Sequence, residues 1–283
     1  MDTPILYIYN MGKYIDLDEN LIVSLYEKNL SAREIGKMMN VDTATITNRL
    51  RKNNIKIVNH RKYQIEEDFF EKIDTEIKAY WLGFIMADGY NSGEFIRIDI
   101  QDEGHLNKLR DCIFKNKDMP IRNRMSPTNK NVYYLTLQSK KIVTDCEILG
   151  IVKRKSMITK YPNINKNQDR NFIRGLFDGD GCLTYSMDRN YRRYTFTIVG
   201  NVDLILSVKQ KIEENLDIKI SERKNKTIYE LYIRGNQKII KVLEWLYLNS
   251  NINLDRKYNK YNDMLYWYKQ KELLTKKGGT QQE

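Results

Sequence analysis

The chain has 283 residues, 41% of them hydrophobic, and a formal net charge of +11; it is long enough for one large domain or two to three small ones with a real core, and basic enough that a polyanion, nucleic acid first, is the expected partner. Cys112, Cys146 and Cys182 form no CxxC pair and the only histidines are His60 and His105, so zinc sites and histidine-centred nuclease chemistry lack ligands, and the cysteines read as reduced core thiols. No apolar run nears the roughly 18 residues of a membrane span, and the first residues do not read as a signal peptide, so the expected location is cytoplasmic.

Residues 18–57 read as three short helices. Ile22, Leu25 and Tyr26 recur at helical spacing, and Ser31-Ala32-Arg33-Glu34 is a capping-box start for a second helix. After a turn at Asn40-Val41-Asp42, a third helix puts Ile46 and Leu50 on one face, towards Ile35 and Met39, and Thr43, Thr45, Thr47, Asn48 and Arg51 on the other. The unit resembles a helix-turn-helix, whose last helix enters the major groove and reads base edges with short polar side chains and arginine. The expected boundaries are 1–60 for this domain and 61–78 for a charged linker, with Phe69 and Phe70 docking on the next domain.

Trp81-Leu82-Gly83-Phe84-Ile85-Met86-Ala87-Asp88-Gly89 comes next, and 92 residues later stands Ile173-Arg174-Gly175-Leu176-Phe177-Asp178-Gly179-Asp180-Gly181. In each, small residues four apart (Gly83 and Ala87, Gly175 and Gly179) share a helix face, and a carboxylate precedes a helix-ending glycine. Small faces let two helix axes come closer than the ordinary separation of about 8–10 Å. The two stretches are expected to pack together and to bring Asp88 and Asp180 side by side at negative helix ends, where a cation is needed. Hard oxygen ligands with open positions suit Mg²⁺, completed by water and substrate phosphate, with Mn²⁺ able to substitute.

Between and after these stretches the hydrophobic period alternates. Strands are predicted at 95–101, 121–125 and 132–138, with helices at 103–115 and 139–149, in the order helix, strand, strand, helix, strand, strand, helix. The second half repeats the order: a helix at 171–179, strands at 182–187 and 193–199, a helix at 202–216, strands at 219–223 and 227–234, and a helix at 236–248. Val132-Tyr133-Tyr134-Leu135 answers Ile228-Tyr229-Glu230-Leu231, 96 residues on. One chain is therefore a pseudo-two-fold dimer, expected to be monomeric. An aromatic, basic helix at 255–271 and a disordered tail at 276–283 close it.

The apolar strand faces must pack on helices. The opposite faces carry Arg97, Asp99, Gln101, Arg122, Arg124, Gln138, Arg193, Thr195, Thr197, Lys219, Arg223, Glu230 and Arg234. Their excess of Arg and Lys favours contacts to phosphates and to guanine N7 and O6. Since the two faces differ in sequence, the duplex site they fit is asymmetric.

Both motif stretches resemble that of the LAGLIDADG homing endonucleases, in the form with two copies per chain, over residues 79 to about 260. The resemblance implies an α+β fold: a pseudo-two-fold pair of αββαββα repeats, at 79–165 and 166–283, with curved antiparallel DNA-binding sheets, beside the small all-α helix-turn-helix domain. It implies that Asp88 and Asp180 hold the metal, with Ala87 and Gly179 adjoining them in the metal site. Met86 stands where the family has an earlier Asp, and Gly179 where it has Ala; neither departure touches the metal position. A basic residue near the site is implied as well, for which Lys155 and Lys257 are the candidates, after Lys153-Arg154-Lys155 in the first half and Arg256-Lys257 in the second. Gln101 resembles the polar strand-end residue that orders solvent near the metal, its second-half counterpart being Val199 or Gly200.

The activity so implied is Mg²⁺-dependent hydrolysis of both strands of a long, asymmetric double-stranded DNA site, water being the nucleophile, with short 3′ overhangs. The implied setting is a mobile genetic element, an intron or a phage. Two other functions fit the same resemblance: a transcriptional regulator that kept the fold and lost cleavage, and an RNA maturase that assists intron splicing.

Overall fold

A computed structural model describes residues 17–28, 30–57, 63–115, 118–153, 159–225 and 228–278. The chain divides into two compact units, Met1–Lys62 and Tyr63–Glu283. Among the described residues no helix is long and apolar enough to cross a membrane.

The first unit holds α1 (Glu19–Glu27), α2 (Ala32–Met38) and α3 (Thr43–Lys52). Each helix starts on a side-chain cap that satisfies backbone N–H groups no intrahelical carbonyl can reach. Asp18 accepts from Asn20 and Leu21, Ser31 and Glu34 close a full capping box, and Asp42 accepts from Thr45 at 2.6 Å. Asn40 takes the left-handed conformation at φ 52° that asparagine tolerates in a tight turn. Ile22, Tyr26, Ile35, Ile46 and Leu50 form the small core, with Met39 packed on it. Arg49 reaches Glu19 at 2.7 Å and ties α3 to α1. Thr43, Asn48 and Arg51 are exposed, whereas Thr45 and Thr47 are half-buried, and the Thr47 hydroxyl donates back to the Thr43 carbonyl at 2.8 Å.

The second unit is built twice over. Its first half runs α4 (Glu76–Asp88), β1 (Gly89–Asn91), β2 (Ile96–Ile100), α5 (Glu103–Ile113), β3 (Arg122–Met125), β4 (Asn131–Leu137) and α6 (Lys140–Ile148). Its second half runs α7 (Asp169–Asp180), β5 (Gly181–Asp188), β6 (Tyr191–Gly200), α8 (Val202–Leu216), β7 (Ser221–Asn225), β8 (Ile228–Arg234) and α9 (Asn236–Tyr247), and α10 (Asp255–Gly278) follows. Each half makes one antiparallel four-stranded sheet, ordered β1-β2-β4-β3 and β5-β6-β8-β7. The registers match: Ile98 pairs with Gly89 and Leu135, and Ile198 with Gly181 and Leu231.

One continuous core joins the halves, with α4 and α7 at its centre. Eight consecutive residues of α4, from Ala79 to Met86, are buried, so the helix is covered on every side. The expected small-residue contact is present. A Cβ placed on Gly83 would lie 2.0 Å from the Phe172 carbonyl oxygen, and one on Gly175 would lie 1.9 Å from that of Tyr80. A Cβ on Gly179 would meet the Ala87 methyl at 2.3 Å. The helices therefore run side by side in the same direction, backbone against backbone, and end together at Asp88 and Asp180.

Some expectations hold and others need correction. Gly89 and Gly181 end their helices as expected; both are extended, at φ −78° and −82°, and pass the chain straight into β1 and β5. Glycine is required there for space, because a Cβ would stand 2.5 Å from the Ile85 carbonyl oxygen at the first site and 2.1 Å from the Phe177 ring at the second. Cys182 is exposed on β5 rather than in the core, since it follows Gly181 onto the sheet face away from Leu183. Residues 76–78 belong to α4 and not to a linker, whereas Phe69 and Phe70 do dock as expected, buried in the core of the second unit. Residues 276–278 continue α10, while 279–283 lie outside the described residues. Ladder register also makes Asn201, one past Gly200, the counterpart of Gln101; its side chain instead caps α8 at the Leu204 N–H and donates to the Thr159 carbonyl.

A buried polar network crosses the helix pair. Arg174 is fully buried on α7; its guanidinium donates to Glu76 on α4 at 2.6 Å, to Asn171, and to the carbonyls of Leu246 and Ile252. Asp178, also fully buried, accepts from Tyr80 at 2.8 Å, Tyr247 at 2.5 Å and the Leu254 N–H at 2.7 Å. Burial pushes the Asp178 carboxyl up, against the pull of those three hydrogen bonds and of Lys257. Tyr80 also meets His105 Nε2 at 3.1 Å, and burial drives the His105 pKa down to about 3, so the ring is neutral.

Two substitutions test this centre. Gly175→Ala should cost about 1–3 kcal/mol or more through overpacking, read as a lower urea midpoint at unchanged slope. Asp178→Asn can keep its one oxygen towards Tyr80 and the Leu254 N–H but then turns its NH2 towards the Tyr247 hydroxyl, which loses its acceptor, and should cost about 1–3 kcal/mol in the same titration.

Candidate active site and strand faces

The site begins where α4 and α7 end. Asp88 is half-buried and Asp180 exposed, each the last residue of its helix. The Asp88 carboxylate crosses to the other motif: its Oδ2 lies 3.5 Å from where a Gly179 Cβ would stand. Helix-end carbonyls and two carboxylates concentrate negative charge there. With the carbonyls of Ala87 and Gly179 the donors on offer are all oxygen. Among the described residues no three His, Cys, Asp or Glu side chains gather to hold a metal, so a cation at this point would need further ligands from water or substrate.

Lys257 enters this end of α7 from α10. It is buried, 5% exposed, and its ammonium donates to the carbonyls of Phe177 at 2.5 Å, Gly179 at 3.2 Å and Gly181 at 2.5 Å. An ammonium has three N–H donors, and all three are engaged. Lys257, expected as a basic residue near the site, uses these donors to close the last turn of α7. The residue remains next to the site, because the charge of Asp88 is among the influences that hold its proton. Its partner in the expectation, Lys155, lies outside the described residues. Gln101 is exposed just beyond β2, one residue before Asp102, which pairs with Arg256 of α10 at 3.0 Å.

On the first sheet Arg97 and Asp99 are half-buried on the face away from the fully buried Ile96 and Ile98, and Arg122, Arg124 and Gln138 are exposed. Asp99 accepts from Arg97 Nε at 2.8 Å and from Arg124 Nη2 at 3.0 Å. The Arg97 guanidinium lies 5.7 Å from the Tyr90 ring centre and 5.9 Å from that of Tyr134. On the second sheet Thr195 and Thr197 are half-buried, while Arg193, Arg223 and Arg234 are exposed; Lys219, expected on a strand, is exposed just before β7, which starts only at Ser221. Arg223 pairs with Glu230, Arg193 with Asp188, and the guanidiniums of Arg223 and Arg234 lie over the Tyr232 ring at 4.5 and 4.9 Å. Beyond that strand end is a concavity of about 790 Å³, lined by Arg193, Thr195, Arg234 and Tyr268 together with Gln237 and Lys238 at the start of α9. Neither Gln237 nor Lys238 is legible as a site residue from strand alternation, since both belong to a helix.

Burial lowers the Lys257 pKa to about 8, from 10.5. Between those values the unfolded chain binds a proton that the folded one does not, so stability rises with pH across that window. Tyr80 and Tyr247, held well above 10 chiefly by burial, act the other way only beyond pH 10. Urea midpoints at pH 8 and 9.5 should show the parent gaining on the order of 1–2 kcal/mol over a Lys257→Met variant in metal-free buffer.

Residues 173–268 match the family model described as LAGLIDADG endonuclease. No curated protein sequence matches the chain. Among solved structures it is similar to full-length DUF199/WhiA from Thermatoga maritima, at 16% identity and a TM-score of 0.46, covering 71% of this chain and 64% of that one; it thus spans less than two thirds of that protein's length. It is also similar to the I-LtrWI LAGLIDADG homing endonuclease bound to target DNA, at 12% identity and a TM-score of 0.46, covering 75% of this chain and 95% of that one. A third is the LAGLIDADG meganuclease I-AabMI bound to uncleaved DNA, at 12% identity and a TM-score of 0.45, with 70% and 91% covered. The segment that matches the LAGLIDADG endonuclease model, residues 173–268, contains the motif helix Asp169–Asp180, which packs here against its counterpart Glu76–Asp88.

Proposed function

We propose that the second unit is a site-specific, Mg²⁺-dependent endonuclease that hydrolyses one phosphodiester in each strand of an asymmetric DNA duplex. The observation that carries this reading is the convergence of Asp88 and Asp180 at the ends of two helices held in backbone contact by Gly83 and Gly175. A carboxylate pair with adjacent carbonyls and no nitrogen or sulfur ligand fits a hard divalent cation with open positions. When bound, Mg²⁺ supplies an activated water and neutralises charge on the phosphate. Asp88 and Asp180 hold that cation, with the carbonyls of Ala87 and Gly179 beside them. Lys257 keeps the end of α7 closed, so that Gly179 and Asp180 keep their places.

The two sheets supply recognition. Arg97, Arg122, Arg124 and Gln138 on one, and Arg193, Thr195, Thr197, Lys219, Arg223 and Arg234 on the other, meet phosphates and base edges over two unlike half-sites. The first unit adds a separate contact through α3, where Thr43, Asn48 and Arg51 are exposed.

One observation favours a second reading, a DNA-binding regulator without cleavage. The Lys257 ammonium already donates to the Gly179 carbonyl, so a cation is present at one of the metal-site oxygens.

The purified chain, incubated with a randomised duplex library and Mg²⁺, should give breaks at one defined sequence with both product ends mapped by sequencing. Asp88→Asn and Asp180→Asn should each reduce cleavage by about three orders of magnitude or more, the scale of losing a preorganised electrostatic contact at the transition state, with duplex binding kept. Tight sequence-selective binding with no cleavage in Mg²⁺ or Mn²⁺ would establish the regulator instead.

A further inference from the structure

The first sheet carries a carboxylate where a DNA-facing surface should be positive. Asp99 stands in the middle of that face, on β2, between Arg97 two residues before it and Arg124 on β3, which lies across β4. Both of its oxygens are engaged, each by a different arginine. Oδ2 takes the Nε–H of Arg97 at 2.8 Å, and Oδ1 takes Nε and Nη2 of Arg124 at 3.2 and 3.0 Å. The two arginines are used differently. Arg124 gives its side edge to the carboxylate, whereas Arg97 gives Nε alone, and its Nη nitrogens have no hydrogen-bond partner among the described residues.

Those two nitrogens form the end edge of the guanidinium, which matches guanine O6 and N7 in the major groove. Tyr90 and Tyr134, one on each neighbouring strand, flank the same guanidinium and restrict its plane. The second sheet has no such arrangement at the matching place. Ladder register puts Thr197 where the first sheet has Arg97, and Val199 where it has Asp99.

Resting on the endonuclease reading of this surface, we propose that Asp99 is a positioning residue for specificity: it fixes Arg97 for bidentate reading of guanine in the half-site under the first sheet, and does not itself touch DNA. A carboxylate facing phosphates lowers affinity for every duplex, and it is kept here because a held arginine discriminates bases where a mobile one binds any phosphate.

The test is selection and sequencing of bound duplexes from a randomised library in Ca²⁺, for the full parent chain and its Asp99→Ala, Asp99→Asn, Arg97→Ala and Asp99→Ala/Arg97→Ala variants, with thermal midpoints alongside. A guanine preference in the parent should fall by about tenfold or more in Arg97→Ala and should fall at the same position in Asp99→Ala, with no further fall in the double variant. Asp99→Ala should also bind non-selected duplex more tightly than the parent, and Asp99→Asn, which keeps one acceptor for Arg97, should lie between Asp99→Ala and the parent in preference. The proposal is overturned if Asp99→Ala alters a position that Arg97→Ala leaves alone, as a direct base contact would, or if the preference is unchanged while only the thermal midpoint falls. A parent that selects no sequence at all overturns the DNA reading itself, and this inference with it.

Discussion

The second unit depends on two helices touching without side chains between them. At Gly83 and Gly175 the neighbouring backbone stands where a methyl group would have to go, at 2.0 and 1.9 Å. Such a contact holds the two axes closer than any pair of ordinary side chains would allow. Everything functional is referred to it. The helix ends come level, so Asp88 and Asp180 stand at neighbouring helix ends; the strands leave those ends directly, so the two sheets start from a common origin; and the exposed faces of those sheets inherit the same pseudo-two-fold relation.

The geometry also separates the two aspartates of the second motif. Asp180 is exposed at the helix end, while Asp178, two residues earlier, is fully buried and bound by two tyrosines and a backbone N–H. The first motif has Met86 in the place of Asp178, and Tyr80 of that motif's helix serves the second motif instead. The polar network therefore runs one way across the pseudo-axis. Charge burial of this kind is weak evidence for net stability, but removing one partner leaves the other buried without compensation.

The repeat order, the helix contact and the pairing of strand faces were legible because they are written as periodicity: small residues four apart, apolar residues two apart, and the same order again 92 to 96 residues on. What periodicity does not contain is partnership at long range. Asp178 finds Tyr80 across 98 residues and Tyr247 across 69, and no local spacing announces either. Lys257 reads in sequence as one more basic residue; only the path of α10 past the end of α7 makes it a cap for three carbonyls. Asp99 reads as one polar position on an alternating strand, and its engagement by Arg124 follows from a register that brings β3 and β2 to opposite sides of β4. Gly89 and Gly181 show the same limit in miniature, since a glycine needed for space and one needed for a left-handed turn look alike in sequence.

The one-way network has a consequence for how such a molecule can be taken apart. A chain made of two second halves would set Asp178 against Phe172 rather than Tyr80, and Arg174 against Gln168 rather than Glu76, leaving a carboxylate and a guanidinium without their counter-groups in the core. Two first halves would instead lose both charges and face Met86 and Leu82 with unanswered Tyr80 and Glu76. The duplication has thus become irreversible in the physical sense: each half has given up the ability to recognise its own kind, and recognises only its unlike sibling.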